Sequence, residues 1–191
     1  MTDATGPPEI SPARGISPAG RGNPSGDMQT FLPYPDFAAT ARVLDPLRLG
    51  KQRVEALQVL RTLTVPGYGW RHHPVAHMWA GYEEALVRYG LEIVSAWCGL
   101  GRADTCAGTM TRELLDCRGI EAPRVQAALA EAGELPPWLG DPALHLSHRS
   151  ALLRKDPEFY GPKFPGDPDD LPYVWPDSDR VNALLPPRRT V

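Results

Sequence analysis

The sequence predicts an all-α fold: a compact, single-domain bundle of about five helices with irregular, proline-rich termini. Three observations predict it. Apolar residues recur at intervals of three and four along long stretches, whereas no alternating strand pattern of useful length and no internal repeat is present. The composition is that of an ordinary globular domain, with 42% hydrophobic and 23% charged residues. The length of 191 residues fits one domain with its own core.

The termini differ in composition from the middle of the chain. Residues 1–27 contain five prolines and five glycines and little that could pack, which predicts a disordered tail. Met28 begins an apolar and aromatic run, and the sequence leaves open whether Met28 is the true translation start. We therefore predict a domain over 28–176, followed by a loose C-terminal tail over 177–191.

Two long helices are predicted first. One covers 38–63, where Asp45-Pro46 can either start a helix or interrupt one. After the Gly-rich turn at 65–69, a second helix is predicted over 75–98 because its apolar residues follow the three-and-four spacing closely.

Three shorter helices follow. The third is predicted over 105–117, with Asp104 as its cap, the fourth over 123–132 and the fifth over 142–154. Beyond them, three residues are expected to dock back on the core: Tyr173, Val174 and Trp175.

Composition also restricts the function. No run is long and apolar enough to span a membrane, and no secretory signal is visible, so we expect a cytoplasmic protein. The three cysteines lack zinc-type spacing and are expected to be buried thiols. The net charge of −3 argues against a nonspecific nucleic-acid coat, but two stretches, 42–73 and 145–155, are basic and would form one positive patch if the fold brought them together.

Lys51 and Glu55 form the first candidate site. Four residues apart on a helix, they share a face with Arg48 and Gln52 nearby. The pattern is compatible with an ordinary surface ion pair, or with a general base among phosphate-binding cations. Arg53 falls near the centre of the apolar arc, where a charge needs a partner or a wet pocket.

Two further segments combine basic and aromatic residues. Trp70-Arg71-His72-His73 precedes the second helix, where the histidines either cap and pack or contact a phosphate, and where Trp70 either packs in the turn or stacks on a base. Ser147-His148-Arg149-Ser150 contains no hydrolase motif and is either a solvated helix face or a phosphate-facing basic turn. No zinc, phosphate-loop or dinucleotide signature is present, so no metal or cofactor is implied.

Two segments of the sequence resemble the pyrimidine-dimer DNA glycosylase (endonuclease V) family. They are Leu44-Asp-Pro-Leu-Arg-Leu-Gly-Lys-Gln-Arg-Val-Glu55 and Ser147-His-Arg-Ser-Ala-Leu-Leu-Arg-Lys-Asp-Pro-Glu-Phe-Tyr160. The resemblance spans about 28–176. It is weak towards the phage enzyme and strong towards an uncharacterised bacterial branch that begins at the equivalent of Met28 with a similar MQTFLPYPDF.

The resemblance implies a compact all-helical DNA-repair enzyme, a hydrolase that acts on double-stranded DNA containing a lesion or modified base. In the phage enzyme the N-terminal amine attacks the sugar and forms an imine. By position, Glu55 would be the catalytic glutamate and Met28 the amine. The resemblance makes Arg48, Lys51 and Arg53 the residues that grip DNA, and it places His148 and Arg149 in the matching C-terminal helix. The residue pattern alone adds four further candidates for DNA binding: Trp70, Arg71, His72 and His73.

One departure from the family leaves the nucleophile open. With residues 1–27 attached, the nitrogen of Met28 is an amide and cannot attack. Lys51 would then supply an amine, or Glu55 would activate water. We predict a glycosylase that excises a damaged or modified pyrimidine, with AP-lyase activity if an amine attacks. The protein is expected to be a monomer, nucleoid-associated when bound to DNA. The alternative is a noncatalytic DNA- or nucleotide-binding protein on the same scaffold.

Overall fold

The structure is a computed structural model that describes residues 28–187. Within this range the chain forms eight helices and no strand, and five of the helices have seven or more residues, which confirms the predicted all-α class. The helices are α1 (Phe37–Val43), α2 (Pro46–Thr64), α3 (Pro74–Trp79), α4 (Glu83–Gly99), α5 (Cys106–Arg118), α6 (Gln126–Glu131), α7 (Pro142–Lys155) and α8 (Pro157–Tyr160).

The first predicted long helix is two helices. Asp45 has an extended backbone and caps α2: its Oδ1 accepts the backbone N–H groups of Leu47 and Arg48 at 2.9 and 3.1 Å. Pro46 occupies the first helical position, where a missing N–H removes no hydrogen bond. Of the two possibilities that the sequence left open, Asp45-Pro46 therefore starts a helix.

The prediction of one continuous second helix is wrong. α3 ends at Trp79, and α4 begins at Glu83 after a turn in which Gly81 has a φ of 77°. The apolar spacing continues through this break, because Trp79 and Tyr82 on its two sides are both buried. Periodicity therefore identified the inward-facing residues correctly and missed the turn between them.

The core forms where α2 and α4 pack together, with α1 against α4 and α5 against both. Gly90 on α4 permits the close approach of α4 to α5, since a Cβ at this position would lie 2.7 Å from Met110 Sδ on α5. The cap position of α5 is Thr105 and not Asp104 as predicted, but Asp104 Oδ2 accepts the N–H of Ala107 in the first turn at 2.8 Å.

An extended segment, Met28–Leu32, is buried along its whole length. The backbone of Leu32 is held between two histidines of α7: its N–H donates to His148 Nδ1 at 2.9 Å, and its carbonyl accepts from His145 Nδ1 at 2.8 Å. His145 Nε2 accepts the N–H of Gly140, so the proton of this neutral ring is on Nδ1. Burial lowers the pKa of both histidines, to about 3 for His148.

The C-terminal region folds back onto the helices. Tyr173, Val174 and Trp175 pack against the core, as predicted. Residues 178–182, which the sequence places in a loose tail, differ from that expectation: Asp179 accepts a 2.6 Å hydrogen bond from the hydroxyl of Tyr82. The predicted disordered tail, 1–27, lies outside the described residues, as does 188–191.

Two further features concern the composition. No helix among the described residues is long and apolar enough to cross a membrane. All three cysteines are free thiols, but only Cys106 is buried, so the expectation of burial is wrong for Cys98 and Cys117.

Candidate active site

A cleft with two lobes lies along one face of α2. The first lobe is a cavity of about 200 Å³, and the second, more open lobe encloses about 430 Å³. Three residues line both lobes: Met28, Lys51 and Glu55. The first lobe is completed by Gln29, Phe31, Leu47, Arg48, Lys155, Tyr173 and Trp175, and the second by Val54, Gln58 and Trp70.

The helical period of α2 explains this arrangement. Residues 47, 51, 54 and 58 follow one another at three- and four-residue intervals, and residue 55 is four residues after 51, so all five lie on one side of the helix. The end of α7 brings Lys155 to the same lobe. Cations from both basic stretches of the sequence thus meet at Glu55, and the first lobe has three cations to one carboxylate.

Glu55 is the most unusual group in the cleft. Only 4% of the residue is exposed, and burial raises the pKa of its carboxyl from 4.5 to about 7. The ammonium group of Lys51, 3.5 Å from Oε1, lowers the pKa and so limits the rise. At neutral pH this carboxyl is partly protonated and partly ionised, which suits a group that takes or gives a proton during a reaction.

Gln52 holds the Glu55 carboxylate in place. Its amide nitrogen donates to Glu55 Oε2 and, at 2.8 Å, to the carbonyl of Gln29. Its amide oxygen accepts the N–H of Phe31 and the hydroxyl of Tyr89, each at 2.7 Å. Gln52 is fully buried with all four hydrogen bonds made, so its orientation is fixed. It therefore joins the carboxylate to the buried segment Met28–Leu32.

Aromatic rings connect the two lobes. Trp70 contacts His73, His73 contacts Trp175, and Trp175 contacts Tyr173, with ring centroids 5.3 to 5.7 Å apart. Trp70 has a φ of 68°, the one non-glycine residue in the described range with a left-handed backbone. Such a conformation costs about 1 to 3 kcal/mol and persists where surrounding contacts impose it. The rings give the cleft flat apolar surfaces beside its charges.

The structure brings five of the predicted site residues together: Met28, Arg48, Lys51, Glu55 and Trp70 all line the cleft. They are not equally available. The side chain of Lys51 is 52% exposed, whereas that of Arg48 is 14% exposed and already bonded, through Nη1 to Asp45 and through Nη2 to the carbonyl of Lys155.

The structure places neither Arg53 nor His148, both predicted DNA-binding residues, in the cleft. Arg53 Nη1 bonds Asp104 Oδ1 at 2.8 Å, and its guanidinium lies over the ring of Trp97, away from the cleft. This is the partner that a charge in an apolar arc requires. His148 is fully buried and accepts a hydrogen bond from the Leu32 backbone, so it cannot contact DNA.

The remaining predicted contacts also lie outside the cleft. Arg149 bonds Asp167 and the carbonyl of Pro33, Arg71 bonds the carbonyl of Leu184, and His72 is exposed without lining either lobe. His73 is buried and caps α3, with Nδ1 accepting the N–H of Val75 at 3.2 Å. Arg149 and Arg71 therefore join distant parts of the chain, and His73 caps a helix.

Several residues of the site were not predicted: Leu47, Lys155, Tyr173 and Trp175, which line the cleft, and Gln52, which bonds Glu55. The sequence shows Gln52 only as a residue near Lys51 and Glu55. It does not show that Gln52 is fully buried and bonded to the Glu55 carboxylate. Lys155 belonged to the second basic stretch, whose closeness to α2 is a long-range contact. No local pattern places Tyr173 or Trp175 beside Glu55.

No group of three or more His, Cys, Asp or Glu side chains among residues 28–187 is arranged to hold a metal ion. A model of the family described as pyrimidine dimer DNA glycosylase matches residues 28–110. This match confirms the family resemblance over a region that contains α1 to α4 and every cleft residue except Lys155, Tyr173 and Trp175. Neither the curated proteins nor the solved structures include a match to the chain.

Proposed function

We propose that the protein is a DNA glycosylase that excises a damaged or modified pyrimidine from double-stranded DNA, with Glu55 as its catalytic carboxylate. The observation that carries the proposal is the buried Glu55 carboxyl, with a pKa of about 7, at the junction of two lobes lined by cations and aromatic rings. The family match over residues 28–110 supports the same class of substrate.

The cleft offers complementary surfaces to an extruded nucleotide. Lys51 and Lys155 attract backbone phosphates, and the rings of Tyr173, Trp175 and Trp70 provide faces on which a base can stack. Enzymes that act on a base take it out of the helical stack, and an enclosed lobe of about 200 Å³ suits one base.

In the simplest mechanism Glu55 acts as general base towards water. The ionised carboxylate takes a proton from water while the water oxygen bonds to the sugar C1′. The bond from C1′ to the pyrimidine nitrogen breaks, its electron pair leaves with the base, and the base then takes up a proton. The product is an abasic site, and the neutral carboxyl of Glu55 returns its proton to solvent. A single modified pyrimidine leaves as the free base, whereas one pyrimidine of a dimer stays bonded to its neighbour after its bond to C1′ is broken.

An amine nucleophile would add AP-lyase activity. The nitrogen of Met28 or of Lys51 would bond to C1′ as the base leaves, and Glu55 would accept the proton that the nitrogen loses. Opening of the sugar ring gives an imine, from which elimination breaks the C3′–O bond. Met28 can act in this way only if its amine is free, since in the chain as printed Asp27 precedes it.

The test is excision from duplex DNA that carries a pyrimidine dimer or another modified pyrimidine, with base release measured as the formation of an abasic site, since a dimerised base stays attached to its neighbour. Glu55→Gln should lower base release by about 10² to 10⁴, the usual contribution of a positioned acid or base. Glu92→Gln is the matched control, because Glu92 also pairs with a cation four residues away, Arg88, at 3.4 Å. It should leave base release unchanged.

Borohydride distinguishes the nucleophiles, since it traps an imine as a covalent adduct. An adduct that forms only with protein beginning at Met28 identifies that amine, and one that disappears in Lys51→Met identifies the lysine. Base release without an adduct indicates water. Salt-dependent DNA binding without release or adduct on any lesion would refute the enzyme and support the noncatalytic alternative.

A further inference from the structure

Leu47 is a large apolar side chain that the fold leaves in water. It is 73% exposed, in the first turn of α2, at the rim of the first lobe. Single exposed apolar residues are common on protein surfaces and usually need no explanation. The surroundings of Leu47 are what distinguish it.

The position of Leu47 is fixed by the cap of its helix. Its backbone N–H donates to Asp45 Oδ1 at 2.9 Å, and the hydroxyl of Tyr160 donates to Asp45 Oδ2 at 2.5 Å. The capping carboxylate is therefore itself held by α8. An exposed side chain on such a rigid helix start keeps its direction when a partner approaches.

Cations surround this apolar side chain. Arg48, Lys51 and Lys155 line the same lobe, and Glu55 lies eight residues along the same helix face. A protruding leucine among cations fits a partner that is anionic outside and apolar inside. Duplex DNA has this chemistry, because its phosphates enclose stacked bases.

We propose that Leu47 is a wedge that inserts between stacked bases when the cleft receives a nucleotide. The wedge fills the space that an extruded nucleotide leaves, and so keeps the nucleotide in the first lobe at Glu55. Apolar side chains that enter base steps unstack them in this way. The inference rests on the proposed function, and it assigns Leu47 as a positioning residue that does not touch the reacting atoms.

The chain provides a matched control. Leu115 on α5 is 43% exposed and lines neither lobe of the cleft. Leu47→Ala and Leu115→Ala remove the same atoms from two exposed helical positions, so both variants should fold. Leu47→Met replaces the branched leucine with an unbranched apolar side chain that is long enough to insert.

The experiment compares single-turnover base release from duplex and from single-stranded DNA with the same lesion. Leu47→Ala should be about tenfold slower than wild type on the duplex, because most of the buried wedge is lost. It should be unchanged on the single strand, which has no paired stack to open. Leu47→Met should recover most of the duplex rate, and Leu115→Ala should match wild type on both. Equal slowing on both DNAs, or an unchanged duplex rate, would overturn the wedge and leave the proposed function standing.

A second readout needs no chemistry. A 2-aminopurine next to the lesion becomes brighter when it is unstacked, and Glu55→Gln protein binds without turnover. Fluorescence should rise with Glu55→Gln and stay low with Glu55→Gln/Leu47→Ala at saturating protein. If wild-type protein releases no base from any substrate, the proposed function fails, and this readout decides the wedge alone: a rise that depends on Leu47 supports it, and equal signals from the two proteins overturn it.

Discussion

Replacing Glu55 with glutamine should stabilise the protein at alkaline pH while removing its proposed activity. The carboxyl is buried, and burial is the largest influence on its pKa. Glutamine has nearly the same shape and no charge to desolvate, and its amide oxygen can still accept the hydrogen bond from Gln52.

The magnitude follows from the difference between folded and unfolded chains. The pKa of Glu55 is about 7 in the folded protein and 4.5 ordinarily. Because the pKa is raised on folding, the folded state binds the proton more tightly, and the free energy of unfolding decreases as the pH rises from 4.5 to 7. One pKa unit corresponds to about 1.4 kcal/mol, so ionised Glu55 destabilises the fold by about 3 kcal/mol above pH 7.

Urea denaturation of wild type and Glu55→Gln, over a pH series from 4.5 to above 7, measures this effect. The two proteins should be equally stable at the acid end, and the variant should exceed wild type by about 3 kcal/mol at the alkaline end. Buried neutral histidines such as His148 also make stability pH-dependent, since folding lowers their pKa values. They contribute equally to both proteins, so the difference between the two curves isolates Glu55.

The control is Glu92→Gln, whose surface ion pair should be worth less than about 1 kcal/mol at any pH. A Glu55→Gln variant that is less stable than wild type at alkaline pH would refute the reasoning. It would mean that the ion pair with Lys51 outweighs burial, and that Glu55 is a structural group. Greater stability together with lost base release is the pattern expected of a catalytic residue.

Three other substitutions test the assignments. Lys51 lowers the pKa of Glu55, so Lys51→Met should move the acid limb of the base-release pH profile to higher pH, and Lys51→Arg should not; an unmoved limb would show that another group titrates. Arg53→Met should lower the free energy of unfolding, measured in urea, by about 3 kcal/mol, because it leaves the Asp104 side chain buried without its cation. Base release per folded molecule should be unchanged. Asp104→Asn in the same chain should recover part of the lost stability, and a loss of DNA affinity would contradict this structural role. Gly81→Ala should lower the melting temperature, with a destabilisation of about 1 to 3 kcal/mol, because φ is 77° and the added Cβ would lie 2.5 Å from a side-chain carbon; an unchanged melting temperature would contradict that strain.

The parts of the site that lie on one helix could be predicted from the sequence. Lys51 and Glu55 share a face of α2 because helical spacing is a local property, and the structure places both in the cleft. The raised pKa of Glu55 could not be predicted, since it depends on burial by Met28–Leu32 and by the C-terminal residues around Tyr173.

Two predicted site residues, Arg53 and His148, lie outside the cleft for a related physical reason. A histidine or arginine looks the same in sequence whether it faces water or the interior. α7 buries residues all around its circumference, so His148 on this helix is an internal hydrogen-bond acceptor. The need of Arg53 for a partner was predictable, but its partner, Asp104, comes from the loop before α5, and no local rule identifies it.

Glu55 takes the proton whether water or an amine attacks the sugar. Whether the amine of Met28 can attack depends on whether a residue precedes Met28. Gln52 donates one amide hydrogen to the Glu55 carboxylate and the other to the carbonyl of Gln29, so a single side chain sets the spacing between the carboxylate and the backbone that follows Met28. Gln52 Oε1 also holds Phe31, so this spacing does not depend on the residues before Met28. A free amine at Met28 would therefore belong to a residue that lines the same lobes as Glu55. Consequently, Glu55→Gln should lower base release by about 10² to 10⁴ in both the full chain and a chain that begins at Met28, whereas a borohydride adduct through Met28 should form with the shorter chain alone.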